Sequence, residues 1–327
     1  MTACSFVVFS LAAVETGADE TKAKEPGQWN VGKIIKEAKG TPVWTDAEQA
    51  AAEFDGYSCM GEYTRESDAM QIVPAEGKFY ASIYRGGLPS AGWDGDHIKH
   101  AWIDRDRIAS HLDGWTKVDR SSSLTFQAPP PNAVVLFAGE KRGHWKFGEV
   151  VDGLLQAGAR TKKSFGSFKL HVEFLTPLKP TLPLSHPGRG NSGVFAVGAY
   201  EVQVMDTFGL DPSPAAWQST PILKKPYTWC GSIYGIRPPT INVCLPPLAW
   251  QTLDIEFTAA EFSGDMKTKD AVMTVYHNGV LVQDRVKLPS GTGGGPSGPR
   301  AEVASGPILI QKHGNAVQYR NIWIVPK

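Results

Sequence analysis

Glu201 and Gln203 stand two residues apart in the stretch Gly190–Asp206, an acid and an amide set among apolar residues. In an extended chain side chains alternate, so Tyr200, Val202 and Val204 share one face while Glu201, Gln203 and Met205 share the other. An acid and an amide turned away from an apolar face are what a polar cleft on a sheet requires. The solvated face of an antiparallel strand would show the same alternation, so this stretch alone leaves both readings open. Upstream, Asn191 and Ser192 form a polar entry between Gly190 and Gly193. Other chemistry-bearing types are less telling. His97, His100 and His111 have no acidic or cysteine ligand at regular spacing, which favours surface histidines over a metal site. The glycine-rich run 291–298 is followed by no Lys-Ser/Thr and helix, so it is a flexible loop and not a phosphate loop.

The elements needed to position these residues are mostly short strands. The stretch 190–206 reads as two strands joined at Gly198-Ala199. Phe168–Leu175 alternates, with Leu170, Val172 and Phe174 opposite His171 and Glu173. Trp250–Phe257 does the same, with Leu253, Ile255 and Phe257 opposite Asp254 and Glu256, and these two acids are assigned to an outer sheet face. A hairpin is expected around Asn278-Gly279, and strands over Pro307–Gln311 and Val317–Val325. Short connections without crossover helices argue for an antiparallel sandwich over residues 133–327. Val202, Val204, Leu253, Ile255 and Phe257 are expected in its core.

Before it, residues 29–128 are expected to form a small α+β domain. Trp29–Gly40 reads as a short helix, and Thr45-Asp46 caps a second over Ala47–Phe54. Strand-like pieces follow at Tyr57–Tyr63, Ala69–Val73, Lys78–Tyr84 and Ser121–Phe126, before the stiff Pro129-Pro130-Pro131 linker.

With 327 residues the chain can hold one large or two ordinary domains. Its 33 basic and 33 acidic residues balance, so the totals point to neither nucleic acid nor an anionic membrane surface. Ten Trp, 34 Gly and 24 Pro fit a β-rich, loop-rich protein; aromatic residues and cleft loops suit sugar ligands and β-sandwich cores alike. Residues 3–14 have the length of a signal-peptide core, without preceding basic residues, and are too short to span a bilayer. Residues 1–28 are therefore expected to be an atypical signal peptide and tether, and the protein periplasmic or secreted. In an oxidising compartment Cys230 and Cys244 are expected to pair, a loop closure contributing about 3 kcal/mol, with Cys59 free. Two separately buried thiols fit the sequence as well.

Seven ordered motifs then carry a resemblance. They are Gly190-Asn191-Ser192-Gly193, Tyr200-Glu201-Val202-Gln203, Gly231-Ser232-Ile233-Tyr234, Trp250-Gln251-Thr252, His277-Asn278-Gly279-Val280, Gln311-Lys312-His313-Gly314 and Tyr319-Arg320-Asn321-Ile322-Trp323. Together they resemble the 3-keto-disaccharide hydrolase family, also described as 3-keto-glucoside 1,2-lyase/hydratase domains. The N-terminal part resembles that of large planctomycete-type members. Two positions depart: Leu175 stands where many members carry Arg, and Lys312 where Asp or Gly is usual.

The resemblance implies a concanavalin A-like jelly roll over residues 133–327 and cleavage of 3-keto-glycosides. A ketone at C3 acidifies the C2 proton, so a base can remove it, the C1 substituent can leave, and water can add to the enone. Such a site needs a base, an acid and an electrophile on the C3 oxygen, and the family implies a divalent metal ion as that electrophile. On the same implication Glu201 is base or metal ligand and His313 is ligand or acid. Glu173 is the third catalytic candidate, while Asn191, Gln203, Gln311 and Arg320 orient hydroxyls of the carbohydrate. Glu201 and His313 are expected to share the ion; a buried Glu201–Arg320 ion pair is the structural alternative. A non-catalytic carbohydrate-binding module on the same fold is the competing function, kept open by Trp217, Tyr227 and Trp229. A secreted structural or adhesion protein has only the β content behind it.

Overall fold

The computed structural model describes residues 40–139, 141–184, 186–210, 226–293 and 300–327. The leader and tether expected at residues 1–28, all but Gly40 of the helix expected at Trp29–Gly40, and Trp217 lie outside them.

Helix α1 spans Ala47–Glu53, and it begins where a capping side chain can meet a free amide: Asp46 accepts from the Gln49 N–H at 2.8 Å. Five antiparallel strands follow: β1 (Gly61–Arg65), β2 (Asp68–Ala75), β3 (Lys78–Arg85), β4 (Ile98–Ile103) and β5 (Thr116–Val118), in the order β4-β3-β2-β1-β5. A one-turn helix α2, Ile108–His111, precedes β5. The strand expected at Ser121–Phe126 is instead a run of turns. Its polar groups are taken up locally and by the next sheet: Thr125 N–H donates to Ser122 O, and Ser122 Oγ lies 3.0 Å from Thr252 Oγ1.

The remainder is a two-sheet antiparallel jelly-roll sandwich. Its strands are β6 (Val134–Phe137), β7 (Trp145–Phe147), β8 (Val150–Val151), β9 (Leu154–Gln156), β10 (Ala159–Thr161), β11 (Phe168–Leu175), β12 (Ser192–Ala196) and β13 (Tyr200–Val204). They continue with β14 (Gln251–Thr258), β15 (Glu261–Ser263), β16 (Met266–Lys269), β17 (Ala271–His277), β18 (Val280–Leu288), β19 (Leu309–Ile310) and β20 (Gln318–Pro326). The smaller sheet runs β13-β12-β19-β10-β7, and the larger runs β18-β17-β14-β11-β20-β9-β8 with β6 also on β20, while β15 and β16 pair as a separate ribbon. The β17–β18 hairpin turns at Asn278 and Gly279, whose φ values of 51° and 81° are those of a two-residue turn matching strand twist.

Alternation sends one side of each sheet into a common core. Tyr200, Val202 and Val204 from β13 meet Leu170, Val172 and Phe174 from β11 and Leu253, Ile255 and Phe257 from β14. Val73, Ala75 and Tyr80 of the N-terminal sheet join the same cluster. There the chain passes so close that a Cβ on Gly209 would lie 2.3 Å from Val73 Cγ2, and Ser82 Oγ donates to Gly209 O at 2.7 Å. Trp229 is also in this core and unavailable as a sugar platform, whereas Tyr227 is exposed.

Cys230 and Cys244 are buried free thiols, so the expected bridge is not formed. The segment after Cys230 is held by backbone pairing: Gly231 N–H donates to Gln203 O at 2.9 Å and Tyr234 N–H to Glu201 O at 3.1 Å. Cys59 is free, and among the described residues no helix is long and apolar enough to cross a membrane.

Arg189, buried between the two parts, ties them together. Its Nε donates to Asp206 Oδ2 at 3.0 Å, with Nη2 2.8 Å from the same oxygen. Its Nη1 reaches Pro74 O of β2 at 3.2 Å and the carbonyls of Lys179 and Leu182 at 3.1 and 3.2 Å. Burial raises the Asp206 carboxyl despite the guanidinium beside it, so removing that guanidinium would leave a charge or a strongly perturbed acid in the interior. Arg189→Met is expected to cost about 3–5 kcal/mol, read from the urea midpoint at unchanged slope. A loss under 1 kcal/mol would show that the pair contributes little.

Candidate functional site

Three adjacent strands of the smaller sheet build the site. In register, Gly193 of β12 faces Gln203 of β13, and Phe195 faces Glu201. On the other side of β12, Val194 pairs with Ile310 of β19, and Gln311 N–H donates to Gly193 O at 2.9 Å. Because Val194, Val202 and Ile310 belong to the core, Gly193, Glu201, Gln203 and Gln311 belong to the outward face.

Gly193 makes the arrangement possible. A Cβ there would fall 2.1 Å from Glu201 Oε1 and 2.8 Å from its Cγ and Cδ, so the carboxyl lies over the bare α-carbon. Glu201 is only 2% exposed. Burial raises its pKa to about 8, against the attraction of Arg300. Arg300 also stacks over Phe195, 4.4 Å from the ring centroid, which keeps a cation beside this face. The Glu201 amide donates to Thr292 Oγ1 at 2.7 Å, and the segment 231–234 pairs along the outer edge of β13. That edge is therefore covered and held in position.

The amides are fixed as well. Gln203 Nε2 is within 2.8–2.9 Å of Asn191 Oδ1, Ser192 O and Val204 O, so its carbonyl oxygen is what it can offer a ligand. Ser192 Oγ donates to Gln311 O at 2.7 Å, and Asn315 Nδ2 bridges His313 O and Asn191 O at 3.2 and 3.5 Å. Gln311 Oε1 and His313 Nδ1 are buried with no hydrogen-bond partner. Burial lowers the His313 pKa, so the ring is neutral near pH 7 and suited to ligation or hydrogen bonding more than to proton donation.

The structure thus brings Glu201, Gln203, Asn191, Gln311 and His313 to neighbouring strands or strand ends of one sheet. It places Glu173 and Arg320 elsewhere. β20 pairs with β11, not with β13, and Glu173 faces Arg320 across that ladder. Both therefore occupy the outward face of the larger sheet, on the opposite side of the sandwich from Glu201. Arg320 Nε donates to Glu173 Oε2 at 2.7 Å, and its guanidinium lies between the Phe126 and Trp250 rings at 3.9 and 3.8 Å. Burial raises the Glu173 carboxyl, but His171, Asn321, Arg320 and the Phe126 amide outweigh it and hold it at about 2. This is an interior ion pair, so neither residue is placed to serve a catalyst at Glu201, and the alternative Glu201–Arg320 pair is absent. His97, set aside above, pairs with Asp94 at 2.7 Å on the surface.

Sequence reasoning missed Gly193, Arg300 and Tyr234 as parts of this site. Gly193 and Tyr234 lay inside quoted motifs, and their role is only visible once β13 has neighbours. Arg300 carries no local signal.

Among the described residues no three His, Cys, Asp or Glu side chains converge as a metal site. The donors these strands leave over for an ion are the Glu201 carboxyl and the unpartnered Gln311 Oε1 and His313 Nδ1.

Residues 109–325 match the family model of the 3-keto-alpha-glucoside-1,2-lyase-like domain. The match begins ahead of the run of turns at 121–126, which packs on the jelly roll. A solved structure from Parabacteroides distasonis, provisionally described as a glycosyl hydrolase, is 29% identical with a TM-score of 0.50, covering 61% of this chain and 85% of its own. Two more from that organism, with the same description, are 16% and 22% identical with TM-scores of 0.43 and 0.37; each match covers 60% of this chain and 94% of theirs. No curated protein matches the chain.

The raised Glu201 pKa fixes the sign of a stability effect. The unfolded chain releases this proton near pH 4.5, while the folded one keeps it to about 8. Between those values the folded state binds more protons, so this group makes stability fall as pH rises, by up to about 1.4 kcal/mol per unit. In chelator, Glu201→Gln is expected to be less pH-sensitive than the unsubstituted protein and more stable at pH 8. Parallel stability–pH curves would contradict the burial argument.

Proposed function

The chain belongs to the 3-keto-alpha-glucoside-1,2-lyase-like domain family, and on that premise we propose that it cleaves 3-keto-glycosides by elimination and hydration. The observation that carries the reading is the Glu201 carboxyl, buried over Gly193 with a pKa of about 8. A base of that strength gains proton affinity over an ordinary carboxylate; it is mostly protonated at pH 7, and the ionised fraction that can act as base grows toward pH 8. Removing the C2 proton leaves its electron pair to form the enolate at the C3 oxygen. Return of that pair restores the C3 ketone, forms a C1–C2 double bond and expels the C1 oxygen, which takes up a proton, leaving an enone conjugated across C1, C2 and C3. Water then adds its hydroxyl at C1 and its proton at C2, so the sum is hydrolysis.

In this reading Glu201 takes and later returns the C2 proton. The Gln203 carbonyl, held by its Asn191 contact, and Gln311 accept from sugar hydroxyls. Arg300 stabilises negative charge at Glu201 and so places a cation's influence on this face. A divalent ion held by Glu201 and His313 would, when bound, polarise the C3 ketone. We extend the proposal to export, resting on residues 3–14.

Two substitutions test the assignment on a 3-keto-glucoside. Glu201→Gln is expected to lower kcat by about 10²–10⁴ with KM nearly unchanged, as for a group that acts in the transition state. Gly193→Ala should lower kcat as well, because the new methyl displaces the Glu201 carboxyl while the fold persists. Near-unchanged kcat in Glu201→Gln would remove Glu201 as base. Chelator should reduce turnover and a divalent ion restore it; activity indifferent to both would remove the metal from the proposal.

A further inference from the structure

We propose that the outward face of the larger sheet holds a second, non-catalytic site for a single pyranose ring. The proposal deepens the reading that this protein handles carbohydrate, and the site lies on the side of the sandwich opposite Glu201. Trp323 on β20, His171 on β11, Asp254 on β14 and Tyr276 on β17 stand side by side, each paired in register with the next. The turns at 122–127 and Pro130 flank this row and bound a half-open groove of about 290 Å³, lined by Leu124, Pro130, Asp254, Tyr276 and Trp323 among others. That is near the lower size of small-ligand pockets, of about 300 Å³, and fits one ring better than a chain of them.

The unpartnered groups specify the ligand's chemistry. His171 Nδ1 takes Asp254 Oδ1 at 2.7 Å, and Trp323 stacks on the imidazole at 5.0 Å with the planes 14° apart. Asp254 Oδ2 and Trp323 Nε1 remain buried with no hydrogen-bond partner; His171 Nε2, 3.8 Å from Glu173 Oε1, is also too far to bond. Asp254 and Trp323 line the groove, and their unpaired acceptor and donor are costly unless a ligand that shifts these side chains meets both. Hydroxyl groups do so, because each can donate to the carboxylate or accept from the indole. The apolar remainder of the wall, Leu124, Pro130 and the Tyr276 ring, suits the C–H face of a sugar. An anionic ligand would meet the Asp254 carboxylate here, while Lys169 at the rim is already paired with Glu256 at 2.7 Å.

The test uses methyl β-glucoside, which lacks the ketone and is not turned over, titrated into the full chain. The Trp323 indole N–H resonance, assigned by its loss in Trp323→Phe, should shift saturably, and should do so equally in Glu201→Gln. Leu124→Trp, which fills the groove, and Asp254→Asn, which replaces the acceptor while keeping its size, should each weaken this binding at least about tenfold, or 1.4 kcal/mol. Leu124→Trp should leave kcat on a soluble 3-keto-glucoside within about twofold. A resonance that does not move, or an affinity that neither substitution changes, overturns the site. If the indole shifts but no 3-keto-glucoside is cleaved, the catalytic reading falls and this site stands.

Discussion

A single buried guanidinium sets the frame on which everything else is mounted. Arg189 presents more donors than any one partner can use, and the fold supplies a carboxylate and three carbonyls from three separate segments. One of those segments is β2 of the N-terminal sheet, and the carboxylate, Asp206, follows directly on β13. The Asp206 amide returns the contact by donating to Arg189 O at 2.9 Å. The end of the strand that carries Glu201 is therefore fixed against both the core and the N-terminal sheet. A planar, permanently charged fork is what such a junction requires, and lysine could not replace its geometry.

With that end fixed, period-two alternation decides what each sheet can offer. Every strand of a sandwich has one face committed to the shared core, so a polar residue reaches a cleft only on the outer side of its own sheet. Two acids with the same local pattern, Glu173 and Glu201, consequently point to opposite sides of the molecule. Their surroundings then separate them chemically. Glu173 is surrounded by donors and sits at about 2; Glu201 has no comparable set of donors and sits at about 8. Side-chain identity is equal in the two cases, and the difference comes from hydrogen bonding to the charged form against desolvation of it.

This explains which parts of the protein were legible in the sequence. Alternation over 168–175, 200–204 and 250–257 identified the strands and the core residues Val202, Val204, Leu253, Ile255 and Phe257, because periodicity is a local property. Asn278-Gly279 marked its hairpin and Asp46 its helix for the same reason. Sheet membership is not local. Nothing in the spelling of β20 says that it lies between β11 and β9, so Arg320 read as a companion of Glu201 when it is the partner of Glu173. The turns at 121–126 misled similarly. Their alternating residues look extended, but Phe126 donates its amide to Glu173, and the segment covers a sheet face without extending it.

The two acids differ in how far their own surroundings satisfy them, and that difference bears on function more directly than exposure does. Around Glu173 the carboxylate oxygens are fully engaged, which makes that group rigid and chemically idle. Around Glu201 the neighbouring Gln311 Oε1 and His313 Nδ1 have no partner, and the carboxyl itself is held back from ionising. A fold that leaves buried polar atoms unpaired is less stable than one that does not, so such atoms on this face are hard to explain as packing. The same atoms are accounted for if a ligand carrying hydroxyls and a polarisable ketone completes their hydrogen bonds on arrival. The cost in the free protein would then be recovered on binding, beside the buried Glu201 carboxyl.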